Sequence, residues 1–217
     1  MNKKLIISHR GFLNLSNKSN IIEFDLRKTK DNVYIISHDP KIKGKIIQDT
    51  IYKELIPPPI KVKDILSTKI KFNIDLKEKG YEKDLIKFIL KYLNKKDLII
   101  SSEKIEILKK IHQIDSKIKL GLIFPIKSYF IYTLKKIFLR TNLKILLDKV
   151  TKNKFDYLIP NKIFINKRFL KETKKKKIKV LPWCINTKSQ IIKFLNNPRL
   201  EGIITDNPKL ANSLLKP

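Results

Sequence analysis

At 217 residues the chain is long enough for one sizeable core and short for two, and a 42% hydrophobic content excludes a disordered polymer. One cysteine, Cys184, excludes an intrachain disulfide and suits a reducing compartment, while Leu5-Ile6-Ile7 is too short an apolar run for a signal peptide and no stretch approaches the ~20 apolar residues of a membrane span. The formal charge of +29 is spread as Lys over nearly every segment, with no RNP, zinc-finger or helix-turn-helix signature, so it reads as compositional bias and not as a specific nucleic-acid site.

In chain order, β-type runs fall at Leu5–Ser8, Ile21–Leu26, Val33–Ser37, Ile70–Leu76, Asp97–Ser101, Ile118–Phe124, Phe155–Pro160, Ile178–Trp183 and Gly202–Thr205. Most are continuous apolar runs without alternation, as strands buried on both faces should be. The segment from Asp25 to Val33 is too short for a parallel crossover, so Val33–Ser37 should return antiparallel through a turn at Asp31-Asn32. Removing that hairpin strand leaves the eight strands that a (β/α)8 barrel needs. After Pro57-Pro58-Pro59 a short helix is expected near Val62–Leu66. Apolar stripes then predict helices over Tyr81–Asn94 and from Ile105, the latter after a cap-like Ser102. The expectation is an α/β TIM barrel with an extra hairpin strand, built as one soluble, cytoplasmic domain over residues 1–217.

The polar residues gather at one end of these strands. His9, Arg10 and Gly11 follow the first run, Glu23 and Asp25 end the second, and His38-Asp39 follow the hairpin strand. Asn73, Asp75 and Lys77 end the next barrel strand, while Trp183, Asn186 and Thr205-Asp206 follow the last two. Catalytic groups of such barrels sit at the C-terminal strand ends. Glu23 and Asp25 are two apart and share one face of a strand. With Asp75 they would form a costly like-charge cluster, which a hard divalent cation would resolve.

These residues also carry a resemblance. HRG at 9–11, EFD at 23–25, TKDNVYIISHD at 29–39, NIDLK at 73–77, WCIN at 183–186 and GIITDNP at 202–208 resemble the glycerophosphodiester phosphodiesterases in order and rough spacing, from residue 5 to about 210. The resemblance implies hydrolysis of a glycerophosphodiester to an alcohol and glycerol 3-phosphate with Mg²⁺ or Ca²⁺. It implies His9 and His38 as the acid/base pair, Glu23, Asp25 and Asp75 as metal ligands, Arg10 and Lys77 at the phosphate, and Trp183 at the substrate. The chemistry is consistent. A diester anion needs its charge offset, and one proton must leave while another arrives. The nucleophile is left open between water and the substrate's own glycerol hydroxyl.

Three departures from the family pattern stand out. Only Phe12–Asn20 separates HRG from the next strand, so the usual Glu-Asn-Thr segment is missing and the first crossover is trimmed. Asp75 stands where Glu is usual, and Cys184 where Thr is common. Asp206 reads as a loop-stabilising residue outside the site, His112 as structural and Cys184 as packing. Residues 125–150 interleave aromatic and aliphatic residues with Lys and Arg, a candidate for weak peripheral membrane contact against the simpler reading of a barrel helix. Two other functions fit the same features: a phospholipase-type phosphodiesterase acting on intact lipids, and a non-catalytic basic barrel that binds nucleic acid or membrane.

Overall fold

Eight parallel strands form a barrel in the computed structural model, which describes residues 4–13, 21–68, 70–124 and 143–215. They are β1 (Leu5–Ser8), β2 (Ile21–Lys28), β6 (Lys71–Leu76), β7 (Leu98–Ser102), β8 (Lys119–Phe124), β9 (Tyr157–Pro160), β10 (Lys179–Val180) and β11 (Gly202–Thr205). Neighbours follow chain order, and β11 returns to β1 in the register Leu5↔Gly202 to Ser8↔Thr205. Between β10 with its continuation and β11, the Glu201 amide donates to the Val180 carbonyl and the Ile204 amide to that of Pro182, each at 3.0 Å. These bonds stitch the remaining seam.

The parity of β2 shows why this sequence makes a two-sided buried strand. Ile22, Phe24 and Leu26 face outward into the main core, with Phe72, Ile74 and Leu76 of the adjacent β6. Ile21 faces inward, with Ile7, Ile99, Tyr157, Ile159, Leu181 and Ile204, and these make an apolar barrel floor. Glu23 and Asp25 have the inward parity and lie above that floor. Each fully buried Leu, Ile or Phe contributes about 1.5–3 kcal/mol, which sets the inward carboxylates against a large apolar driving force.

The strand β3 (Tyr34–Ile36) pairs antiparallel with β2, Leu26 opposite Ile36 and Lys28 opposite Tyr34. In the turn, the Thr29 amide donates to the Val33 carbonyl at 3.0 Å and Asn32 takes a left-handed φ of 63°. A short excursion follows, with β4 (Lys41–Ile42) and β5 (Lys45–Ile46) paired to each other. Ile35, Ile47 and Leu55 form its own small core.

Helices cover the barrel's outer face. They are α1 (Val62–Leu66), α2 (Glu82–Ile89), α3 (Ile105–Ile114), α4 (residues 143–152), α5 (Lys167–Lys175), α6 (Lys188–Leu195) and α7 (Pro208–Leu214). Leu85, Ile86 and Ile89 of α2 and Ile107, Leu108 and Ile111 of α3 are fully or almost fully buried in the main core. Ser102 does not cap α3. It ends β7, its hydroxyl donating to the Leu76 carbonyl at 2.8 Å and accepting from the Lys104 amide at 3.1 Å, while Lys104 takes the N-cap position. The helix α4 buries Leu143, Leu147 and Val150 in the core, so that part of the amphipathic segment faces the barrel. The rest of that segment, residues 125–142, lies outside the described residues, as do residues 14–20 of the trimmed first crossover. Among the described residues no helix is long and apolar enough to cross a membrane.

Candidate active site

All eight residues singled out from the sequence line one pocket at the C-terminal ends of the barrel strands. His9, Arg10, Glu23, Asp25, His38, Asp75, Lys77 and Trp183 share it with Asn73, Glu103, Ile123, Ile159 and Ile204. Parallel register brings the carboxylates together. Asp25 of β2 is directly opposite Asp75 of β6, and Glu23 is opposite Asn73. Glu23, Asp25 and Asp75 each offer an oxygen, and the three atoms lie within 4.8 Å of one another.

Burial makes this cluster electrostatically expensive. Burial, then the Asp25 and Asp75 charges, push the Glu23 carboxyl up to about 8. The Asp75 carboxyl is pushed up to about 6, mainly by burial and against the pull of Lys77. Two cations offset part of the cost. The Lys77 ammonium bridges Asp25 Oδ1 at 2.7 Å and Asp75 Oδ2 at 2.5 Å. Burial alone would lower the Lys77 pKa, but these two carboxylates outweigh it and hold the ammonium above the usual lysine value. Arg10 Nε lies 3.3 Å from Asp25 Oδ2, and the Arg10 amide donates to Glu23 Oε2 at 2.9 Å. In this arrangement Arg10 and Lys77 meet the carboxylates at the edge of the pocket. Asp75 Oδ1 and Asn73 Oδ1 are buried without a hydrogen-bond partner. An unpartnered buried carboxylate oxygen beside two further carboxylates fits a divalent cation, and an all-oxygen donor set fits a hard one.

The two histidines are held by carboxylates through the same ring atom. His9 Nδ1 lies 2.7 Å from Asp206 Oδ1, and His38 Nδ1 lies 2.8 Å from Asp39 Oδ1. An ionised carboxylate only accepts, so each ring carries its N–H at Nδ1 and leaves Nε2 free to exchange a proton. His9 Nε2 is 4.0 Å from Glu23 Oε2, which places it beside the acidic cluster. The hydrogen bond from His38 holds the exposed Asp39 carboxyl below its ordinary value.

Local backbone geometry sets up the first of these residues. Arg10 adopts a left-handed φ of 48°, and a Cβ on Gly11 would come within 2.6 Å of Ser8 Cβ. Only glycine fits there, which explains the HRG turn. Trp183 is fixed as a wall of the pocket by its indole N–H, which donates to the Ile159 carbonyl at 3.1 Å.

Two contacts lie outside the sequence reading. Asp206 is the direct partner of His9, not a loop residue away from the site. Asn186 braces it, accepting from the Asp206 amide at 3.0 Å and donating through Nδ2 to the other carboxylate oxygen. Asp206 follows the last barrel strand, so the strand-end rule already contained the signal. Arg27 is the second. Its buried guanidinium donates twice to the His38 carbonyl, at 3.2 and 2.7 Å, and pairs with buried Glu78. Its signal was parity, since Arg27 continues the inward row of Ile21, Glu23 and Asp25.

Comparison with known proteins decides the family. The sequence model of the glycerophosphoryl diester phosphodiesterase family matches residues 49–210. The chain belongs to this family. The matched range begins after His9, Glu23 and His38, so their place in the site comes from the fold. Solved structures share that fold. A glycerophosphodiester phosphodiesterase of Thermotoga maritima is 21% identical with a TM-score of 0.74, over 99% of both chains. One from Agrobacterium tumefaciens is 11% identical with a TM-score of 0.75, over 97% of this chain and 100% of that one. A phosphodiesterase of Oleispira antarctica, solved with the product sn-glycerol-3-phosphate, is 19% identical with a TM-score of 0.74, over 97% and 96%. The comparison with curated proteins gives no match.

Proposed function

We propose that this member of the family hydrolyses glycerophosphodiesters to an alcohol and glycerol 3-phosphate, with His9 and His38 moving the protons. One observation carries the reading: three buried carboxylates, one with an unpartnered oxygen, share a pocket with two histidines whose Nε2 atoms are free. Glu23, Asp25 and Asp75 would hold the divalent cation, Mg²⁺ or Ca²⁺. When bound, that cation supplies positive charge against the phosphodiester oxygens and lowers the cost of the transition state.

The chain's own groups supply the rest. Arg10 and Lys77 are positioned to add positive charge at the diester, because both already reach into the pocket against Asp25. One histidine Nε2 takes the proton of the attacking oxygen, and the other delivers a proton to the departing alcohol oxygen. The Asp206 and Asp39 carboxylates hold the rings in the tautomer that this exchange requires, and both stabilise the imidazolium once it forms. Trp183 and the apolar residues Ile123, Ile159 and Ile204 wall the pocket for the carbon skeleton of the substrate. We take residues 1–217 to act as one barrel unit, in the cytoplasm, which the single cysteine suits.

The test is release of glycerol 3-phosphate from a panel of glycerophosphodiesters, with and without chelator. Turnover should require Mg²⁺ or Ca²⁺, stop on chelation and return on adding the ion back. Intact phospholipid presented in micelles should be a poorer substrate. Turnover indifferent to chelator would remove the carboxylate cluster from the reaction, and preference for micellar lipid would favour a phospholipase-type activity.

A further inference from the structure

A second set of metal-donor atoms shares His9 with this pocket and differs in kind from the carboxylate cluster. His9 Nδ1, Cys184 Sγ and an Asp206 carboxylate oxygen lie within 4.8 Å of one another. The Sγ to Nδ1 distance is 3.6 Å, and Nδ1 to Asp206 Oδ1 is 2.7 Å. Glu23, Asp25 and Asp75 offer only hard oxygen, whereas this set offers sulfur, imidazole nitrogen and one carboxylate. That mixture suits the zinc class of borderline, thiophilic cations and not Mg²⁺ or Ca²⁺.

The geometry is close to what such an ion needs. With bonds of about 2.3 Å to sulfur and 2.0 Å to nitrogen, tetrahedral ligands lie about 3.5 Å apart. The observed 3.6 Å between Sγ and Nδ1 needs almost no change. The Asp206 oxygen would have to back away by about half an ångström to reach tetrahedral spacing. Its side chain is 49% exposed and has room to do so. The barrel ladder fixes the other two donors, since the His9 amide donates to the Thr205 carbonyl at 2.9 Å and the Ile185 amide to the Ile204 carbonyl at 3.0 Å. Burial, Asp206 and Glu23 push the Cys184 thiol up to about 12, so without a cation it stays protonated and unreactive.

We propose that His9, Cys184 and Asp206 form an inhibitory site for a zinc-class divalent cation, separate from the carboxylate site of the reaction. The inhibition rests on the reading of His9 as a proton carrier. The cation takes the Nδ1 lone pair and the Cys184 sulfur. The thiol proton leaves to solvent, and the imidazole proton moves from Nδ1 to Nε2, so one proton is released for each ion bound. Nε2 then carries hydrogen and can no longer accept a proton, while Asp206 is drawn from its bracing role to the metal.

Cobalt(II) and zinc are the probes, used on the full chain in excess Mg²⁺. Cobalt should give a thiolate-to-cobalt charge-transfer band in the near ultraviolet. Cys184 is the chain's 1 cysteine, so the band reports this site and not the carboxylates. Zinc should inhibit turnover of the native enzyme. Cys184→Ser should keep basal turnover, lose the band and need at least about ten-fold more zinc for the same inhibition. Equal zinc sensitivity in the native and Cys184→Ser enzymes, or no cobalt band in the native protein, overturns the proposal. The band needs no variant, so a Cys184→Ser protein that failed to fold would still leave that test decisive. A cobalt band in a protein that turns over no glycerophosphodiester would overturn the enzymatic reading and the inhibition with it, whereas turnover without a band would overturn the metal site alone.

Discussion

His9 and His38 line the same pocket and each gives its Nδ1 to a carboxylate, yet the chain holds them by different means. The partner of His9 is 197 positions away, Asp206, and the two meet only because β11 closes the barrel against β1. The partner of His38 is its neighbour Asp39, and that pair is largely exposed, with side chains 52% and 77% accessible. What fixes His38 lies beneath it, in the buried Arg27 guanidinium that grips its carbonyl and pairs with Glu78. One histidine is set by barrel closure acting on its ring. The other is set by a buried ion pair acting on its backbone.

The largest effect should come from removing either ring. His9→Ala and His38→Ala should each lower turnover by roughly two to four orders of magnitude, because each deletes one half of the proton exchange. His112→Gln on α3 should leave turnover almost unchanged, since His112 does not line the pocket. Steady-state rates on one glycerophosphodiester decide this. A near-normal His38→Ala enzyme would mean that only the barrel-closing histidine matters.

Next in size is the buried support of His38. Arg27→Met leaves Glu78 buried with no counter-charge and should destabilise the protein by about 3–5 kcal/mol in denaturant unfolding. Replacing both residues, Arg27→Met with Glu78→Met, should recover most of that stability, because two apolar side chains replace a desolvated pair. Turnover should stay depressed in the double variant, since the grip on the His38 carbonyl is gone. Recovery of both stability and turnover would show that the pair serves folding alone.

The carboxylate partners should separate the two histidines most cleanly. Asp206→Asn places an amide against His9 Nδ1 and favours the tautomer with the proton on Nε2. A loss of about ten- to a hundred-fold in turnover is expected. Asp39→Asn should cost less than about three-fold, since an exposed pair in water orients the ring weakly. Equal losses would show that the burial difference between the two pairs carries no consequence for the reaction.

The same contrast explains what the sequence could and could not reveal. The β2 run was readable as a strand from its apolar residues, and the two-residue spacing of Glu23 and Asp25 puts both acids on one face. The antiparallel return of β3 followed from a connection too short for a crossover. His38-Asp39 are adjacent in the chain, so their pairing needed no tertiary information. Asp206 was harder. Its strand-end position was visible, but nothing local says that its carboxylate meets the His9 ring across the β11–β1 seam, so a loop-stabilising role was the preferred reading. Arg27 was hidden by composition, because one more cation in a chain of +29 does not stand out until its burial is known. Ser102 misled for a related reason. A serine ahead of an apolar stripe looks like an N-cap, but the strand claimed it first, through the Leu76 carbonyl.

The smallest effect concerns the acidic cluster beside His9, and it tests whether the cluster is built for a cation. In the folded, metal-free protein Glu23 is raised from 4.5 to about 8 and Asp75 from 3.8 to about 6. The unfolded chain releases both protons near its ordinary carboxylate values, while the folded protein still holds them. Between those values the folded state binds more protons than the unfolded one, so stability falls as pH rises. The groups held low, Asp31, Asp39, Glu82 and Asp115, act in the other direction only on acidification below the carboxylate range, and so do not contribute across pH 5–8. Lys77, held high, contributes stability that is lost only at strongly alkaline pH. In chelator, the melting temperature should therefore decline steadily from pH 5 to pH 8. A divalent cation binds the ionised form and stabilises the fold by about 2.7 kcal/mol at a hundred times its dissociation constant. The gain should be larger at pH 8 than at pH 5, where the cation must displace protons, and Asp75→Asn should shrink both the decline in chelator and the gain from metal. A metal-free melting temperature that is flat or rises over this range, or a cation effect equal at both ends, would show that the three carboxylates are reconciled by Lys77 and Arg10 alone.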